Sequence, residues 1–172
     1  KMKNLKFNPF QPAAIEGVPI DMLTRCEYFT AILNASLPVA DVLPVIIDEA
    51  IYKYLYDKIK EPFVNGDMKQ LDDYPKLDGV INTARQILAA RGYDKKVQDD
   101  IAAALETRFT YLTRGKRGKI LNVNNSTDYS KLFSPPAVIN LSRIANPKDK
   151  ALIMSLLMLA IYEYRISAYT YD

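Results

Sequence analysis

The C-terminal third of the chain constrains the fold most, because it combines a short apolar segment, a polar turn and a long apolar helix. Residues 137–141 are mostly apolar and are bounded by prolines and the turn, which predicts a central strand covered on both faces. Asn146 is predicted to cap the helix, Pro147 to begin it, and Asp149 to place a negative charge at its positive end. Nearly every position in 151–166 is apolar, so we expect this helix to contact protein on more than one side.

The composition is that of one soluble globular domain, and it excludes several kinds of enzyme. The chain has 172 residues, no histidine and one cysteine, Cys26. Without histidine it lacks the commonest general base and the commonest metal ligand, which excludes Ser-His-Asp, Cys-His and His-metal mechanisms. Cys26 lies on the apolar side of a predicted helix, and we expect a core residue rather than a reactive thiol. A single cysteine fits a reducing compartment, so the predicted location is cytoplasmic.

Net charge and hydropathy restrict the partners only weakly. There are 23 Lys and Arg against 20 Asp and Glu, a formal charge of +3, which is too mild to indicate nucleic acid unless the cations cluster. The C-terminal helix is too short and too closely flanked by charge to predict a membrane span. Because the chain begins with Lys1 rather than methionine, we expect a piece of a longer protein.

Apolar residues at helical spacing predict four more helices before the C-terminal one. Their predicted ranges are 19–35, 41–59, 78–91 and 94–114, with Asp41 and Asp94 as N-caps and Gly92 and Gly115 as C-terminal caps. Short strands are predicted at 5–7 and 120–123, in addition to 137–141. The sequence therefore predicts a mainly helical α+β fold with about five helices and roughly two to four short strands.

One string in the second of these helices mimics a catalytic motif. Residues 45–50 read Val-Ile-Ile-Asp-Glu-Ala, like the apolar strand ending in Asp-Glu that holds magnesium in many nucleoside triphosphatases. Those enzymes also need a phosphate loop of the form G-x-x-x-x-G-K-[ST], which this sequence lacks. Apolar positions continue at helical spacing past Ala50, so we favour a helix with Asp48 and Glu49 on or near its polar side.

A cluster of positive charge follows the predicted helix at 94–114. Its cations are Arg114, Lys116, Arg117 and Lys119, separated by two glycines. Glycine lets a backbone approach a phosphate closely, and each bound cation displaces a counterion, so this segment is a candidate nucleic-acid contact. It is equally a candidate for a solvated turn between a helix and a strand, because no aromatic residues are interleaved with the cations.

Five segments share a pattern with one family of motor proteins. They are Phe-Asn-Pro-Phe at 7–10, the predicted helix at 43–56, residues 75–93, Leu-Thr-Arg-Gly at 112–115, and Ala-Val-Ile-Asn-Leu-Ser at 137–142 with the helix that follows. Together they resemble the HerA and FtsK superfamily of DNA-pumping ATPases, which includes the conjugative-transfer ATPases of type IV secretion systems. The resemblance covers the part of the family that lies between the phosphate loop and the Asp-Glu strand.

The resemblance implies that residues 1–172 are a single fragment of a larger ATPase. Residues 1–10 and 119–172 would belong to a RecA-like α/β core, and residues 19–115 would form a helical insertion. The parent would bind ATP and Mg²⁺, form a ring, and move along DNA or drive a substrate through a secretion channel. The implied partners are the remainder of the ATPase core, neighbouring subunits of the ring, and DNA. Without the phosphate loop, the fragment itself is expected to be inactive and to bind no cofactor.

A second interpretation belongs to another class of protein. A free-standing helical interaction module would accept a partner helix in an apolar groove, with no ATPase around it. A self-contained domain should cover residues 137–141 with its own elements, whereas a fragment should leave apolar surface exposed or buried in a dimer. A small enzyme based on Asp, Glu, Lys or Tyr has no supporting group of residues in the sequence.

Overall fold

The structure is a computed structural model, and it describes residues 5–15, 18, 21–36, 42–59, 74–133, 136, 138–142 and 144–171. These residues form seven α-helices and one 3-10 helix. In chain order they are α1 (Met22–Ser36), α2 (Val42–Ile59), α3 (Leu77–Ala90), α4 (Lys95–Arg108), the 3-10 helix (Thr110–Thr113), α5 (Gly115–Leu121), α6 (Tyr129–Phe133) and α7 (Pro147–Tyr171).

The predicted α+β fold is wrong, because the described part of the chain contains helices and no strand. Residues 138–141 are irregular, and Val138 is 96% exposed rather than buried. Ala137 lies outside the described residues. A central strand needs neighbouring strands to satisfy its backbone groups, and no described segment of this chain supplies them.

The other two predicted strands are also wrong. Residues 120 and 121 form the last turn of α5. Residues 5–7 are irregular, although the Phe7 amide donates to the Ile120 carbonyl at 2.7 Å and the Thr127 amide donates to the Lys6 carbonyl at 2.9 Å. These bonds hold the N-terminal segment beside the chain after α5 without forming a ladder.

The caps predicted at Asn146, Asp94 and Gly92 are confirmed. Asn146 Oδ1 accepts a hydrogen bond at 2.9 Å from the amide two residues later, and Pro147 is the first residue of α7. Asp94 Oδ1 accepts one at 3.1 Å from the amide three residues later, and Gly92 has a φ of 66° just after α3. The cap predicted at Asp41 lies outside the described residues.

The helix predicted for residues 94–114 is shorter than expected. α4 ends at Arg108, and the 3-10 helix follows it after one residue. Gly115 was expected to end a helix; it has the left-handed φ of 59° typical of that role, but it also begins α5.

All the described helices contribute to one cluster of buried apolar side chains. α2 packs mainly against α3, and α1 packs against α7. The cluster joins Phe7 of the N-terminal segment to Phe29 of α1 and Leu156 of α7. Side chains from the predicted insertion and from the predicted ATPase-core parts therefore share one hydrophobic core, and the division of the chain between them stays a prediction.

The N-terminal arm (residues 5–15) is held by a buried asparagine. Asn8 is 0% exposed, and its Nδ2 donates to the carbonyls of Pro75, Val123 and Asn124 at 2.9, 2.7 and 2.9 Å. These carbonyls come from the start of α3 and from the loop after α5. The two N–H groups of one amide are thus shared among three backbone acceptors, and they fix the arm to two distant parts of the chain.

A buried ion pair fixes the other end of the arm. Arg25 of α1 is 1% exposed; its Nε donates to the Pro9 carbonyl at 2.9 Å, and its Nη1 lies 2.7 Å from Glu163 Oε2 of α7. The same carboxylate oxygen accepts from the Ala13 amide at 3.0 Å. The arm, α1 and α7 are therefore joined through one charged group.

Candidate functional site

The basic segment that was predicted as a loop forms the short helix α5. Arg114 precedes this helix, and Gly115 turns the chain into it. A Cβ on Gly118 would lie 2.0 Å from the carbonyl oxygen of Thr113, so no larger residue fits there without a shift of the backbone. Both glycines are therefore required by the turn from the 3-10 helix into α5, not by the approach of a phosphate.

Two of the four predicted cations are bound to carboxylates of this chain. Arg114 Nη2 lies 2.6 Å from Glu106 Oε1. Arg117 Nε forms an ion pair with Asp149 Oδ2, and its guanidinium carbon lies 4.7 Å from the centre of the Tyr111 ring. These contacts reduce the charge that Arg114 and Arg117 present to an external phosphate.

Asp149 is the centre of the second of these contacts. It is 3% exposed in the first turn of α7, at the positive end of the helix as predicted. The Tyr111 hydroxyl donates to Asp149 Oδ1 at 2.9 Å. Burial, together with this hydrogen bond to a carboxylate, raises the pKa of Tyr111 to about 12. Both oxygens of Asp149 are thus occupied, and the group joins α5 to α7 instead of offering a free acid or base.

The remaining cations of α5 point away from this contact. Lys116 and Lys119 are exposed, and their spacing of three residues puts them on one side of the helix. None of the described carboxylates forms an ion pair with either of them. Lys148 and Lys150 flank Asp149, the partner of Arg117. The nucleic-acid contact of residues 114–119 stays a prediction, and Lys116 and Lys119 are its two cations without an ion pair among the described residues.

The Asp-Glu string is part of α2, which confirms the helix interpretation. Asp48 and Glu49 are both exposed. Thr30 Oγ1 donates to Asp48 at 3.3 Å, and Glu49 forms an ion pair with Arg91. Across the described ranges, no three side chains of the Asp, Glu, Cys or His type come together as metal ligands.

Cys26 is a core residue, as predicted. Its side chain belongs to the hydrophobic cluster and is 8% exposed. Burial raises the pKa of its thiol to about 12, so the thiolate is not populated near neutral pH.

One side of α7 is apolar and exposed. This outer face of α7 comprises Ala151, Met154, Met158, Ile161, Arg165 and Ala168, with Tyr162 and Tyr169 beside them. Met158 is 66% exposed and Tyr169 is 87% exposed. At 1.5 Å per residue the face is about 26 Å long. This surface is mostly apolar, with Arg165 within it and Ala168 half-buried, and its length makes it a candidate site of contact with another protein or a membrane.

The expectation that α7 is too short for a membrane span is wrong on length, although one side of the helix is buried. Among the described helices, α7 is long and apolar enough to cross a membrane over Pro147–Tyr169, but 39% of that window is buried inside the protein. Leu152, Leu156 and Ala160 lie in the hydrophobic cluster. A core helix of a soluble protein passes the same test of length and composition, so the evidence for a span is weak.

No protein-family profile, curated protein or solved structure matches this chain. The resemblance to the HerA and FtsK superfamily therefore stays a prediction from the sequence segments. Sequence reasoning did not single out Asn8, Arg25 or Glu163, whose contacts hold the arm in place. It also did not identify the outer face of α7, although the alternating spacing of three and four residues was present in the sequence.

Proposed function

We propose that this chain is a non-catalytic helical subdomain that binds protein through the outer face of α7, as part of a HerA- or FtsK-like ATPase. The observation that supports this proposal is the exposed, mostly apolar side of α7. A fragment of a larger assembly leaves apolar surface of this kind open, because another subunit or another part of the parent covers it. In the segment that a self-contained domain should cover, Val138 is exposed, whereas Ile139 and Leu141 are partly buried against the hydrophobic cluster.

The ATPase part of the proposal rests on the resemblance of the sequence segments. Residues 43–56 are helical, which is what the resemblance implies for them, and residues 75–93 contain α3. Residues 138–142 depart from the family, because they are irregular where the resemblance implies a strand. ATP and Mg²⁺ would be bound by the parent outside this chain, whose sequence contains no phosphate loop. The cytoplasmic location is part of the same proposal.

A free-standing helical interaction module is the second candidate. Its support is the single hydrophobic cluster to which all the described helices contribute, since a chain with its own core folds without a parent. Both candidates use the outer face of α7, and they differ in whether a motor surrounds it.

Reading the encoding gene in frame on both sides separates the two candidates. The ATPase proposal expects a phosphate loop upstream of Lys1 and an apolar strand ending in Asp-Glu soon after Asp172. A stop codon or unrelated sequence on both sides would leave only the interaction module.

Binding through α7 is tested with the parent sequence that the gene supplies. This chain and the flanking parts of the parent are produced as separate polypeptides, and their affinity is measured by titration calorimetry. Met158→Glu should weaken the affinity about tenfold or more, because it places a charge in the centre of the apolar face. Val45→Glu is the matched control, since Val45 is 54% exposed on α2. Equal affinities of the wild type and Met158→Glu would contradict the proposal.

A further inference from the structure

We propose that the outer face of α7 pairs with the same face of a second copy of this chain, with the two helices antiparallel. The inference rests on the function proposed above, because it names the partner of the same surface. A single helix face can pair with itself around a two-fold axis, so that each contact is made twice.

The spacing of the outer face is that of a coiled-coil seam. Residues 151, 154, 158, 161, 165 and 168 alternate between steps of three and four, the a and d positions of a seven-residue repeat. In an antiparallel pair, a positions of one helix face d positions of the other. Met158 then faces Ile161 of the second copy, Met154 faces Arg165, and Ala151 faces Ala168. Large apolar side chains meet at the centre, and small ones meet at the two ends.

The charges on α7 favour the antiparallel arrangement over the parallel one. A parallel pair would place the two Arg165 side chains in the same layer, where like charges repel. In the antiparallel pair each Arg165 lies beside Met154 of the second copy, and its guanidinium extends past the thioether to water. Lys148 and Lys150 come to lie near the C-terminal end of the second helix, where the helix dipole is negative. The same lysines are unfavourable at the N-terminal end of their own helix.

The exposed apolar area is at the lower end of what a specific dimer needs. Tyr28 of α1 extends the face, because its ring packs edge-on against Tyr162 with 6.5 Å between centroids. The exposed fractions of Tyr28, Met154, Met158, Ile161, Tyr162 and Tyr169 run from 38% to 87%. At about 200 Å² for a fully exposed large side chain, they offer roughly 650 Å² per chain. Specific interfaces bury about 600–1,000 Å² per partner, so we expect a dimer that dissociates in the micromolar range.

Sedimentation velocity of the 172-residue chain across the micromolar range tests the association. The wild type should shift from the mass of one chain to that of two as its concentration rises. Met158→Glu should stay monomeric throughout with an unchanged helical circular dichroism spectrum, because Met158 is 66% exposed and leaves the core intact. Val45→Glu on α2 should dimerise like the wild type.

Disulfide cross-linking tests the orientation of the two helices. The double variant Ala151→Cys/Ala168→Cys should form a covalent dimer on mild oxidation, because these positions face each other in the antiparallel register. Each single variant should remain uncross-linked. Cys26 does not interfere, since it is buried and burial raises its pKa to about 12. A dimer formed by Ala151→Cys alone would indicate parallel helices and overturn the proposal.

The remaining outcomes separate this inference from the function on which it rests. A wild-type chain that stays monomeric at every concentration overturns the pairing with a second copy, as does a dimer that Met158→Glu leaves intact. If the monomeric wild-type chain still binds the flanking parts of the parent through α7, the proposed function stands and only the partner of the outer face changes. If Met158→Glu affects neither association, both the inference and the proposed function fail.

Discussion

Replacing Arg25 with methionine should destabilise the protein more than any surface substitution, because it breaks a buried charge network. The Arg25 side chain is 1% exposed and contacts Glu163 Oε2 at 2.7 Å and the Pro9 carbonyl at 2.9 Å. Methionine fills a similar volume without charge or donors. The carboxylate of Glu163, whose side chain is 16% exposed, would keep only the Ala13 amide of the partners described above.

The size of the effect follows from what each substitution leaves unpaired. Removing one member of a buried ion pair costs about 3–5 kcal/mol, and we expect about 3 kcal/mol because Glu163 keeps some contact with water. Arg25 Nη2 has no hydrogen-bond partner among the described residues, so the native pair already carries a desolvation cost that the substitution removes. Glu163→Gln keeps a neutral acceptor in place but leaves the buried Arg25 guanidinium without its counter-ion, so it should also cost about 3–5 kcal/mol. The double variant should cost less than the sum by about 1–2 kcal/mol, because the unpaired carboxylate is gone.

These differences are measured by urea unfolding, followed by far-ultraviolet circular dichroism. Urea is uncharged and leaves the ion pairs unscreened, whereas guanidinium chloride is a salt and would screen them. Lys53→Met is the matched control: Lys53 and Asp57 form an ion pair with side chains 54% and 59% exposed, so its loss should cost less than about 0.5 kcal/mol. If Arg25→Met costs no more than Lys53→Met, the buried network does not stabilise the fold. Strict additivity in the double variant would show that Arg25 and Glu163 do not act as a pair.

Four further predictions concern single groups. Asn8→Ala should lower the free energy of unfolding in urea by about 2–4 kcal/mol, because three carbonyls lose their donor. Asn8→Asp should lower it further, because a carboxylate would face the three carbonyl oxygens. A smaller loss for Asn8→Asp than for Asn8→Ala would contradict the prediction. The Cys26 thiol should react with Ellman's reagent at mildly alkaline pH only after unfolding, and prompt reaction of the native protein would show that it is accessible. Burial and the hydrogen bond to Asp149 raise the pKa of Tyr111 from 10.0 to about 12. The folded state's preference for the protonated hydroxyl therefore contributes stability that is complete below the unfolded pKa and is lost as the pH rises through the folded pKa. Tyr111→Phe should remove this loss of stability at alkaline pH, and an equal pH dependence of unfolding in the two proteins would refute the prediction. Replacing both Lys116 and Lys119 with alanine should lower the salt dependence of binding to double-stranded DNA by about two units of slope, whereas an unchanged slope would end the nucleic-acid interpretation.

The helix caps were predictable because a cap depends on residues a few positions away. Asn146 and Asp94 each bind an amide two or three residues later, and Gly92 adopts the φ that only the local turn requires. The helix interpretation of Asp48 and Glu49 held for a related reason. Apolar residues continued at helical spacing well past them, and a strand would not preserve that period.

That residues 138–141 would form no strand was not predictable from these residues alone. A short apolar run bounded by prolines fits a buried strand and an exposed connection equally well, since a strand exists only if other strands pair with it. No other described segment of this chain provides such a partner, and Val138 is left in solvent. The error therefore arose from assuming a sheet that the segment itself does not encode.

The candidate site was predictable in composition but not in geometry. The four cations at 114–119 were evident in the sequence, yet Arg117 pairs with Asp149 across 32 positions and so becomes part of the fold. This contact depends on how the 3-10 helix and α5 turn, which the sequence pattern does not specify.

The sequence by itself determined where most of the helices lie, the burial of Cys26, and the absence of histidine-based chemistry, because these follow from residue types and from spacings of three or four positions. The tertiary structure alone decided which side of α7 stays open and which cations are neutralised. It also decided that no sheet forms in the described residues. Those outcomes depend on contacts such as Arg25 with Glu163, 138 positions apart, and Asn8 with Val123, 115 positions apart. Packing selects among such distant partners through the combined burial and hydrogen bonding of the whole core, and no local pattern carries that information.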